Sequence, residues 1–406
     1  MLDITDVQAA QRRIAGGVAV TPCSESIPLS ELCGCHIYCK LDYLQRTGSF
    51  KERGARNALL LLDDGQQRRG VIAASAGNHA LGLAYHGQLL HIPVTVVMPT
   101  YAPLIKVSTC RRLGAKVIVH GGNFAEARAQ ADRLAAEHGY AYIHGYDDPA
   151  VIAGQGTMGL EILQQVPAVD AIVAPIGGGG LIAGISLAVK SVRPEVQIIG
   201  VEAANAPGFS RARAAGKPVS SATRPTLADG LAVGRVGDNA FAIARARVDR
   251  VLQADEAHIA LAVFRLIELE KSVIEGAAAA PLAAFLQHGL RDLQGKRVVL
   301  TLCGGNIDLN ILDRIIEVGL VTDGRLCRFA ATISDRPGGL ARLAALIADA
   351  GGSIKDIAHD RTFAGPDVAN VRALCVVETT DRAHIERIYE ALRAGGIEVV
   401  PDMPRG

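Results

Sequence analysis

The 406-residue sequence contains no tryptophan, no excess of charge of either sign and no long uninterrupted apolar run. Its 42 basic and 41 acidic residues give a formal net charge of +1. This balance predicts no electrostatic surface for nucleic acids or anionic membranes. The short apolar runs predict no transmembrane helix. Residues 1–6 are acidic and lack an apolar signal region, so a cytoplasmic location is expected.

Cysteine is also sparse, with eight residues spread over the chain. Such spacing is typical of reduced thiols and not of a disulfide framework. Four of these cysteines and His36 lie between residues 23 and 39, a grouping that zinc sites also show. The strand predicted for residues 36–41 turns Cys35 and Cys39 to one face and His36 to the other. We therefore interpret the cysteines as small buried apolar side chains and predict no metal site.

Glycine, in contrast, is abundant at 44 residues, and the chain length indicates two or three domains. A helix is predicted for residues 1–20. From residue 71 onward, apolar strands alternate with helices, apart from an irregular stretch at 204–250, and this order predicts parallel sheets covered on both faces. The expected fold class is α/β, with two open parallel-sheet subdomains and a cleft between them: a smaller one at 45–145 and a larger one at 1–44 plus 146–320.

The pattern changes after a predicted linker at residues 321–325. Residues 326–402 give the order strand, helix, strand, strand, helix, strand, which is typical of the ferredoxin-like unit. The sequence therefore predicts a separate, smaller C-terminal domain.

One lysine is notable for its neighbours. Lys51 follows a Gly-Ser turn and an aromatic residue in Thr47–Gly54, at the start of a helix predicted from Glu52 to about Leu62. A lysine forms a Schiff base with a carbonyl compound when burial or nearby positive charge lowers its pKa. Taken alone, the segment is more typical of a solvated lysine in a first helical turn.

Three glycine-rich segments at predicted strand-to-helix junctions change this interpretation. Residues 75–79 offer free amides and the side chains of Ser75 and Asn78, which suit a carboxylate or a phenolic oxygen, although either side chain could instead cap the helix. In Gly177–Gly180, several backbone N–H groups can converge on a phosphate, and the spacing is not that of a dinucleotide fingerprint. The third segment is Thr301–Asn306. A reactive lysine, a carboxylate loop and a phosphate loop together describe a pyridoxal phosphate site.

On these motifs the chain resembles the threonine ammonia-lyases (threonine dehydratases) of the tryptophan-synthase-β-like, fold-type-II pyridoxal phosphate enzymes, over about residues 5–320. The resemblance also rests on Asp229-Gly230, Glu275-Gly276 and Cys303–Asp308. It implies pyridoxal 5'-phosphate as cofactor and β-elimination of L-threonine and L-serine to 2-oxobutyrate or pyruvate and ammonia. Residues 326–402 resemble an ACT domain, a small regulatory module that binds amino acids.

The resemblance also implies roles for individual residues. Lys51 would be the catalytic residue and hold the cofactor covalently. Phe50 would pack against the cofactor ring, Asn78 would bond its hydroxyl and Cys303 would face its nitrogen. The remaining cofactor contacts implied are Gly177, Gly178, Gly179, Gly180, Gly230, Glu275 and Gly304. The substrate would be held by Ser75, Ala76, Gly77, Asn78 and His79.

A thiol opposite the ring nitrogen has a chemical consequence. With an ordinary pKa near ~8.5, Cys303 is a weak donor that would not keep that nitrogen protonated as a carboxylate would. A neutral ring is a weaker electron sink, which favours elimination over transamination.

Two departures from related enzymes bear on the activity. Serine racemases, which the chain also resembles, place a second serine where Ala76 stands, and Ala76 has no proton to give. Their divalent-metal site matches at Glu202 and Ala206, but Gly208 replaces its aspartate. A divalent site is therefore not expected, whereas a monovalent cation, no cation, and Glu202 as a plain strand-end charge stay open.

Several alternatives stay open at this point. The enzyme alternatives are a dehydratase of another β-hydroxy amino acid, such as hydroxyaspartate, and a serine racemase. The non-enzyme alternative is an amino-acid sensor. The ACT-like domain, with Asp335–Leu340 as effector loop, predicts regulation by an amino acid such as isoleucine or valine in a homodimer or homotetramer. It could also serve only for oligomerisation, and neither the substrate preference nor a biosynthetic or degradative role is fixed.

Overall fold

The computed structural model describes residues 2–360 and 369–402. The chain forms two compact units, Met1–Asp308 and Leu309–Gly406. Within the described ranges, no helix combines the length and the apolarity needed to cross a bilayer.

The first unit alternates strands and helices along most of its length. Its strands are β1 (Cys23–Glu25), β2 (His36–Lys40), β3 (Val71–Ala74), β4 (Val94–Met98), β5 (Lys116–Val119), β6 (Ala141–Tyr142), β7 (Ala171–Pro175), β8 (Gln197–Ala203), β9 (Arg250–Ala254) and β10 (Arg297–Thr301). Its helices are α1 (Ile4–Ile14), α2 (Ile27–Cys33), α3 (Lys51–Leu60), α4 (Asp64–Arg69), α5 (Asn78–Leu90), α6 (Leu104–Arg112), α7 (Phe124–His138), α8 (Pro149–Gln165), α9 (Gly180–Val192), α10 (Gly208–Ala215), α11 (Asp238–Ala244), α12 (Glu256–Glu270) and α13 (Gly276–His288).

These strands form two separate sheets. The larger sheet has the order β1-β2-β10-β7-β8-β9 and the smaller one the order β5-β4-β3-β6. All pairs are parallel except β1 with β2. Strands β3, β4, β7 and most of β8 are buried along their length, as expected for sheets with helices on both faces. The architecture confirms the predicted α/β class with two open parallel sheets.

The second unit is a small antiparallel domain. It contains α14 (Leu309–Thr322), β11 (Leu326–Ser334), α15 (Gly339–Asp349), β12 (Ser353–Asp360), β13 (Asn370–Glu378), α16 (Arg382–Ala394) and β14 (Glu398–Pro401). The sheet order β12-β13-β11-β14 is that of the predicted ferredoxin-like unit. The predicted strand ends at residues 361 and 368 lie outside the described residues. The structural division falls before α14, whereas the linker predicted at 321–325 begins in the last two residues of that helix.

Two predictions of local structure were wrong. The helix expected over residues 1–20 covers only Ile4–Ile14, because Gly16 adopts a positive φ of 76° just beyond its end. The stretch 204–250, expected to be irregular, contains α10 and α11. The α10 amides are bound by Glu202 at the end of β8, and the Asp147 carboxylate accepts from the α11 amides. The Asp147 cap lies 91 residues away from Asp238 and leaves no local sequence signal.

Helix α8 lies at the centre of the first unit and touches two helices through glycines. A Cβ on Gly54 of α3 would lie 2.8 Å from the Val151 carbonyl oxygen, and one on Gly154 of α8 would lie 2.6 Å from that of Arg53. A Cβ on Gly184 of α9 would lie 2.5 Å from the Ile152 carbonyl oxygen. Because backbones approach so closely, α3 and α9 are held in fixed positions on α8.

A buried ion network fixes α3 in addition. The Arg53 guanidinium donates through Nε and Nη2 to both oxygens of Asp42, at 2.8 and 2.7 Å. It donates through Nη1 and Nη2 to Glu161 of α8, at 2.6 and 2.8 Å, and to the Thr157 hydroxyl at 3.1 Å. Lys40 of β2 donates to Glu161 at 2.6 Å. The two cations and two carboxylates balance in charge, and Arg53, Asp42 and Lys40 are fully buried.

The pKa of Asp42 shows how strongly the charge of Arg53 compensates its burial. Burial by itself would raise the pKa of Asp42, but the Arg53 charge and hydrogen bonds outweigh this and hold the pKa below its ordinary value. Asp42 is therefore ionised in the folded protein, and it depends on Arg53 as its partner.

Replacing Arg53 should expose this dependence. Arg53→Met leaves Asp42 and Glu161 with only Lys40 as countercharge, so we expect a loss of about 3–5 kcal/mol in the free energy of unfolding. The matched control is Arg133→Met, which breaks an exposed i,i+4 pair with Glu137 and should cost less than about 0.5 kcal/mol. Urea unfolding of both variants measures the difference, and equal costs would contradict the proposed dependence.

Candidate active site

A cavity of about 830 Å³ in the first unit is lined by segments that follow strands of both sheets. Its walls include the segments that follow β3, β7 and β10, at the carboxyl ends of these parallel strands, where open α/β sheets bind ligands. Every predicted site residue except Gly304 lines this cavity. Gly304 is in close contact with Glu275, since a Cβ on Gly304 would fall 2.1 Å from Glu275 Oε1.

Lys51 is the first residue of α3 and the only lysine among the described residues that line the cavity. Its Nζ donates to the Gly145 carbonyl at 2.6 Å and lies 5.1 Å from the centre of the Phe50 ring. Burial lowers the pKa of Lys51 to about 8, although Cys303 and Glu275 act to raise it. A sizeable fraction of the amine is therefore neutral in mildly alkaline solution, as a nucleophile or base requires.

The loop Gly177–Gly180 joins β7 to α9 and needs glycine for steric reasons. A Cβ on Gly178 would lie 2.2 Å from Tyr146 Cγ, and one on Gly180 would lie 2.4 Å from the Tyr146 carbonyl oxygen. Gly179 has φ +94°. Within the described part of the chain, the N–H groups of Gly177, Gly178 and Gly179 have no hydrogen-bond acceptor. Free amides at the start of a 13-residue helix suit an anion such as a phosphate.

The loop of residues 75–79 precedes α5 and presents backbone to the cavity. The capping alternative for its side chains is wrong, because Gly77 is the N-cap of α5 and no side chain bonds there. The Ser75 hydroxyl accepts from the Gly77 N–H at 3.3 Å instead. His79 is buried and contacts the Ile143 carbonyl through Nε2 at 3.0 Å. Burial lowers the pKa of His79 to about 3, so its ring is neutral.

Another part of the wall combines an amide, a carboxyl and a thiol. Asn78 Nδ2 donates to both oxygens of Glu275, at 2.8 and 3.1 Å. Burial raises the pKa of Glu275 to about 7. Burial, with Glu275 nearby, also raises the pKa of Cys303 well above its ordinary value, so Cys303 stays a neutral thiol.

Three residues that sequence reasoning missed also line the cavity: Tyr142, His144 and Tyr146. They alternate along the chain where β6 ends, and this period of two is the signal that could have revealed them. His144 Nδ1 accepts from the N–H groups of Tyr146 and Asp147, at 3.3 and 3.1 Å. Burial lowers the pKa of His144 to about 4, so it contributes a neutral ring.

Glu202, the residue matched to the racemase metal site, is buried at the start of α10. It accepts from the Phe209 N–H at 2.5 Å, from the Ser210 N–H at 3.0 Å and from the Ser210 hydroxyl. Burial raises the pKa of Glu202 in spite of these bonds. Its carboxylate caps α10, and among the described residues no group of three or more His, Cys, Asp or Glu side chains is arranged to hold a metal ion.

Comparison with known proteins places this geometry in context. Residues 14–304 match the family described as pyridoxal-phosphate dependent enzyme, and residues 332–394 match the ACT domain. The L-threonine ammonia-lyase of Thermotoga maritima is 43% identical over 399 residues, which cover 98% of this chain and 99% of that protein.

Two solved structures are similar to the chain over most of their own length. The processed form of threonine deaminase isoform 2 from Solanum lycopersicum has a TM-score of 0.74 and 34% identity, over 77% of this chain and 91% of that one. Maize serine racemase has the same TM-score and identity, over 79% of this chain and 98% of that one.

The depressed pKa of Lys51 predicts selective chemistry at this residue. Since only the neutral amine reacts, reductive methylation of Lys51 in cofactor-free protein should rise with pH around a midpoint near 8. Lys355 is an internal control, because its hydrogen bond to Glu317 holds its pKa above the ordinary value. Peptide mass spectrometry separates the two sites, and a Lys51 midpoint as high as that of Lys355 would refute the prediction.

Proposed function

The chain belongs to the pyridoxal-phosphate dependent enzymes and carries an ACT domain, and we propose that it is a threonine ammonia-lyase. It would convert L-threonine to 2-oxobutyrate, and L-serine to pyruvate, with release of ammonia. The observation that carries this proposal is the Lys51 amine, which has a lowered pKa and shares one cavity with a glycine loop at the start of α9. The full-length similarity to an L-threonine ammonia-lyase supports it.

The residues of the cavity fit pyridoxal phosphate. The amine of Lys51 is present for the aldehyde, and the unbonded amides of Gly177–Gly179 are present for the phosphate. A side chain at Gly178 or Gly180 would clash with Tyr146, which packs against this loop. Cys303 offers the neutral thiol expected near the ring nitrogen, and Asn78 and Glu275 lie in the same wall.

When bound, the cofactor supplies an aldehyde that condenses with amines and a ring that withdraws electrons from the substrate Cα. The protein supplies the proton transfer. Lys51 Nζ, as a free amine, would take the Cα proton, and its lowered pKa makes it a better base near neutral pH than an ordinary lysine. The β-hydroxyl would then take up a proton and leave as water. The released enamine would tautomerise to an imine, which water hydrolyses to the 2-oxo acid and ammonia.

Other residues bind the substrate and set the charge of the cavity wall. The backbone of Ser75, Ala76 and Gly77 borders the cavity just before α5 and would hold the substrate carboxylate. His79 is neutral and buried, so it adds no positive charge beside Lys51. Cys303, kept neutral by burial, favours elimination over a long-lived carbanion.

A serine racemase is the second candidate, because maize serine racemase is as similar in fold as the threonine deaminase. Ala76 argues against it. It lines the cavity within the carboxylate loop, and its methyl side chain has no proton to exchange. A dehydratase of another β-hydroxy amino acid would use the same residues and differ only in the fit of the side chain.

Steady-state assays with L-threonine and L-serine test the proposal. We expect 2-oxo acid from both substrates, and Lys51→Ala should lower kcat by at least about a thousandfold because the base is removed. Lys355→Ala, a change of an exposed lysine in the second unit, should leave kcat unaltered. A Lys51→Ala protein that keeps more than about a thousandth of the activity would end the proposal.

Product analysis in the same assay separates the alternatives. Accumulation of D-serine faster than pyruvate would favour the racemase, and turnover of hydroxyaspartate above threonine would favour the other dehydratase. Formation of no 2-oxo acid from any β-hydroxy amino acid would favour the amino-acid sensor.

The ACT domain extends the proposal to regulation in a cytoplasmic homodimer or homotetramer. An amino acid such as isoleucine or valine would bind near Asp335–Leu340, which spans the loop after β11 and the first two residues of α15. Gly338 has φ +97° in this loop, and a Cβ on Gly339 would lie 2.2 Å from the Ser334 carbonyl oxygen. The loop thus keeps its shape only with glycine at both positions.

Titration of the full-length protein with isoleucine, valine and nucleotides tests this regulation. We expect one of them to change the apparent affinity for threonine by about 5- to 150-fold, which corresponds to typical coupling energies. Gly339→Ala should abolish the response, since its Cβ distorts the loop. A response that survives this change would contradict the assignment of the effector to this loop. No response to any of these compounds would leave the domain with a structural role only.

A further inference from the structure

Asn306 does not line the cavity, yet it contacts Asn78, which does, and the loop that leads to Lys51. Its Nδ2 donates to the Thr47 carbonyl at 2.8 Å and to Asn78 Oδ1 at 2.9 Å. Both hydrogens of this amide are therefore used. Asn78 in turn donates through Nδ2 to Glu275, at 2.8 and 3.1 Å. The four residues form one continuous chain of hydrogen bonds.

The two ends of this chain of hydrogen bonds, Thr47 and Glu275, fix which way the side-chain amides of Asn306 and Asn78 point. The Thr47 carbonyl can only accept, so Asn306 must turn Nδ2 and not Oδ1 towards it. The same Nδ2 then meets Asn78 and requires an oxygen there. The Glu275 carboxylate, when ionised, also only accepts and requires Nδ2 of Asn78 on its side. A flip of either amide would set oxygen against oxygen or N–H against N–H.

This direction decides what Asn78 offers to the cavity. Because Oδ1 is occupied by Asn306, which lies outside the cavity, Asn78 presents only N–H donors on the side of Glu275. Both Nδ2 contacts now go to Glu275, so one N–H would pass from Glu275 to the ring oxygen when the cofactor is bound. An N–H donor stabilises a phenolate oxygen, whereas a carbonyl oxygen in its place would destabilise one.

Asn306 also contacts the loop that leads to Lys51. A Cβ on Gly48 would lie 2.5 Å from Asn306 Oδ1, and Gly48 has φ +77°, so the two residues are in close contact. The Gly305 N–H donates to the Gly48 carbonyl at 2.9 Å, and the Phe50 N–H donates to the Cys303 carbonyl at 2.9 Å. The segment after β10 thereby holds residues 47–50, directly before Lys51.

We propose that Asn306 is a positioning residue, which orients Asn78 as a hydrogen-bond donor to the ring oxygen of the cofactor and ties this amide to the loop before Lys51. The inference rests on the proposed function, because it needs Asn78 to contact the cofactor. Asn306 itself would not touch the cofactor and would act only through Asn78 and Thr47.

A double-mutant cycle in the substrate-free holoenzyme tests this coupling. Asn306→Ala should weaken cofactor binding about tenfold, as expected for the loss of a buried hydrogen-bonded partner, and should shift the visible absorbance of the bound cofactor in the same direction as Asn78→Ala. In the Asn78→Ala background, the same change should alter neither quantity by more than about twofold. Full additivity of the two changes would overturn the proposal.

Asn306→Asp is the isosteric companion variant. Its carboxylate cannot donate to Thr47 or Asn78, so it should shift the absorbance at least as far as Asn306→Ala while filling the same space. An unaltered spectrum would overturn the inference even if cofactor binding were weaker, because a purely structural role predicts that result. Gln130→Ala, which truncates an exposed amide on α7, controls for amide loss and should change neither quantity.

The outcomes also separate this inference from the proposed function. If Asn78→Ala itself leaves cofactor affinity and absorbance unchanged, the assignment of Asn78 fails. If Asn78→Ala alters them and both Asn306 variants do not, only the role of Asn306 fails. Thermal unfolding of each variant identifies any that are misfolded, and Asn306→Asp remains as the test where Asn306→Ala does not fold.

Discussion

The buried guanidinium of Arg53 makes five hydrogen bonds, and the position of the candidate catalytic amine depends on them. Arg53 lies two residues after Lys51 on α3, whereas its partners Asp42 and Glu161 lie just after β2 and on α8. Burying two carboxylates is costly unless each is paired, and the bidentate geometry pairs both with one side chain. Lys51 is thus placed at the cavity wall by a network that itself takes no part in the chemistry.

Helix α8 links this network to the glycine loop Gly177–Gly180. Glycine contacts place α3 on one part of α8 and α9 on another, so that the first residues of both helices, Lys51 and Gly180, are fixed by one central element. The same dense packing removes water from the cavity wall. Burial is accordingly the first cause of the lowered pKa of Lys51 and His79 and of the raised pKa of Glu275 and Cys303. Fold and reactivity have a shared origin in close helix packing.

Much of this could be predicted from the sequence, because apolar runs and glycine-rich junctions are local signals. The parallel strands, the C-terminal unit and the loops at residues 75–79 and 177–180 were all visible in this way. The buried partners of Arg53 were not, since Asp42 and Glu161 lie 11 and 108 residues away from it. The same holds for α11, whose cap Asp147 lies 91 residues away from Asp238. Long-range polar contacts depend on the finished fold, and no pattern of neighbouring residues reveals them.

The central claim is that one amine, that of Lys51, carries the cofactor. Borohydride reduction of the holoenzyme makes a link between a lysine and pyridoxal phosphate permanent, and peptide mass spectrometry then locates it. We expect a single modified peptide, the one that contains Lys51. Modification of Lys106, Lys40 or any other lysine instead, in protein that still turns over threonine, would contradict it.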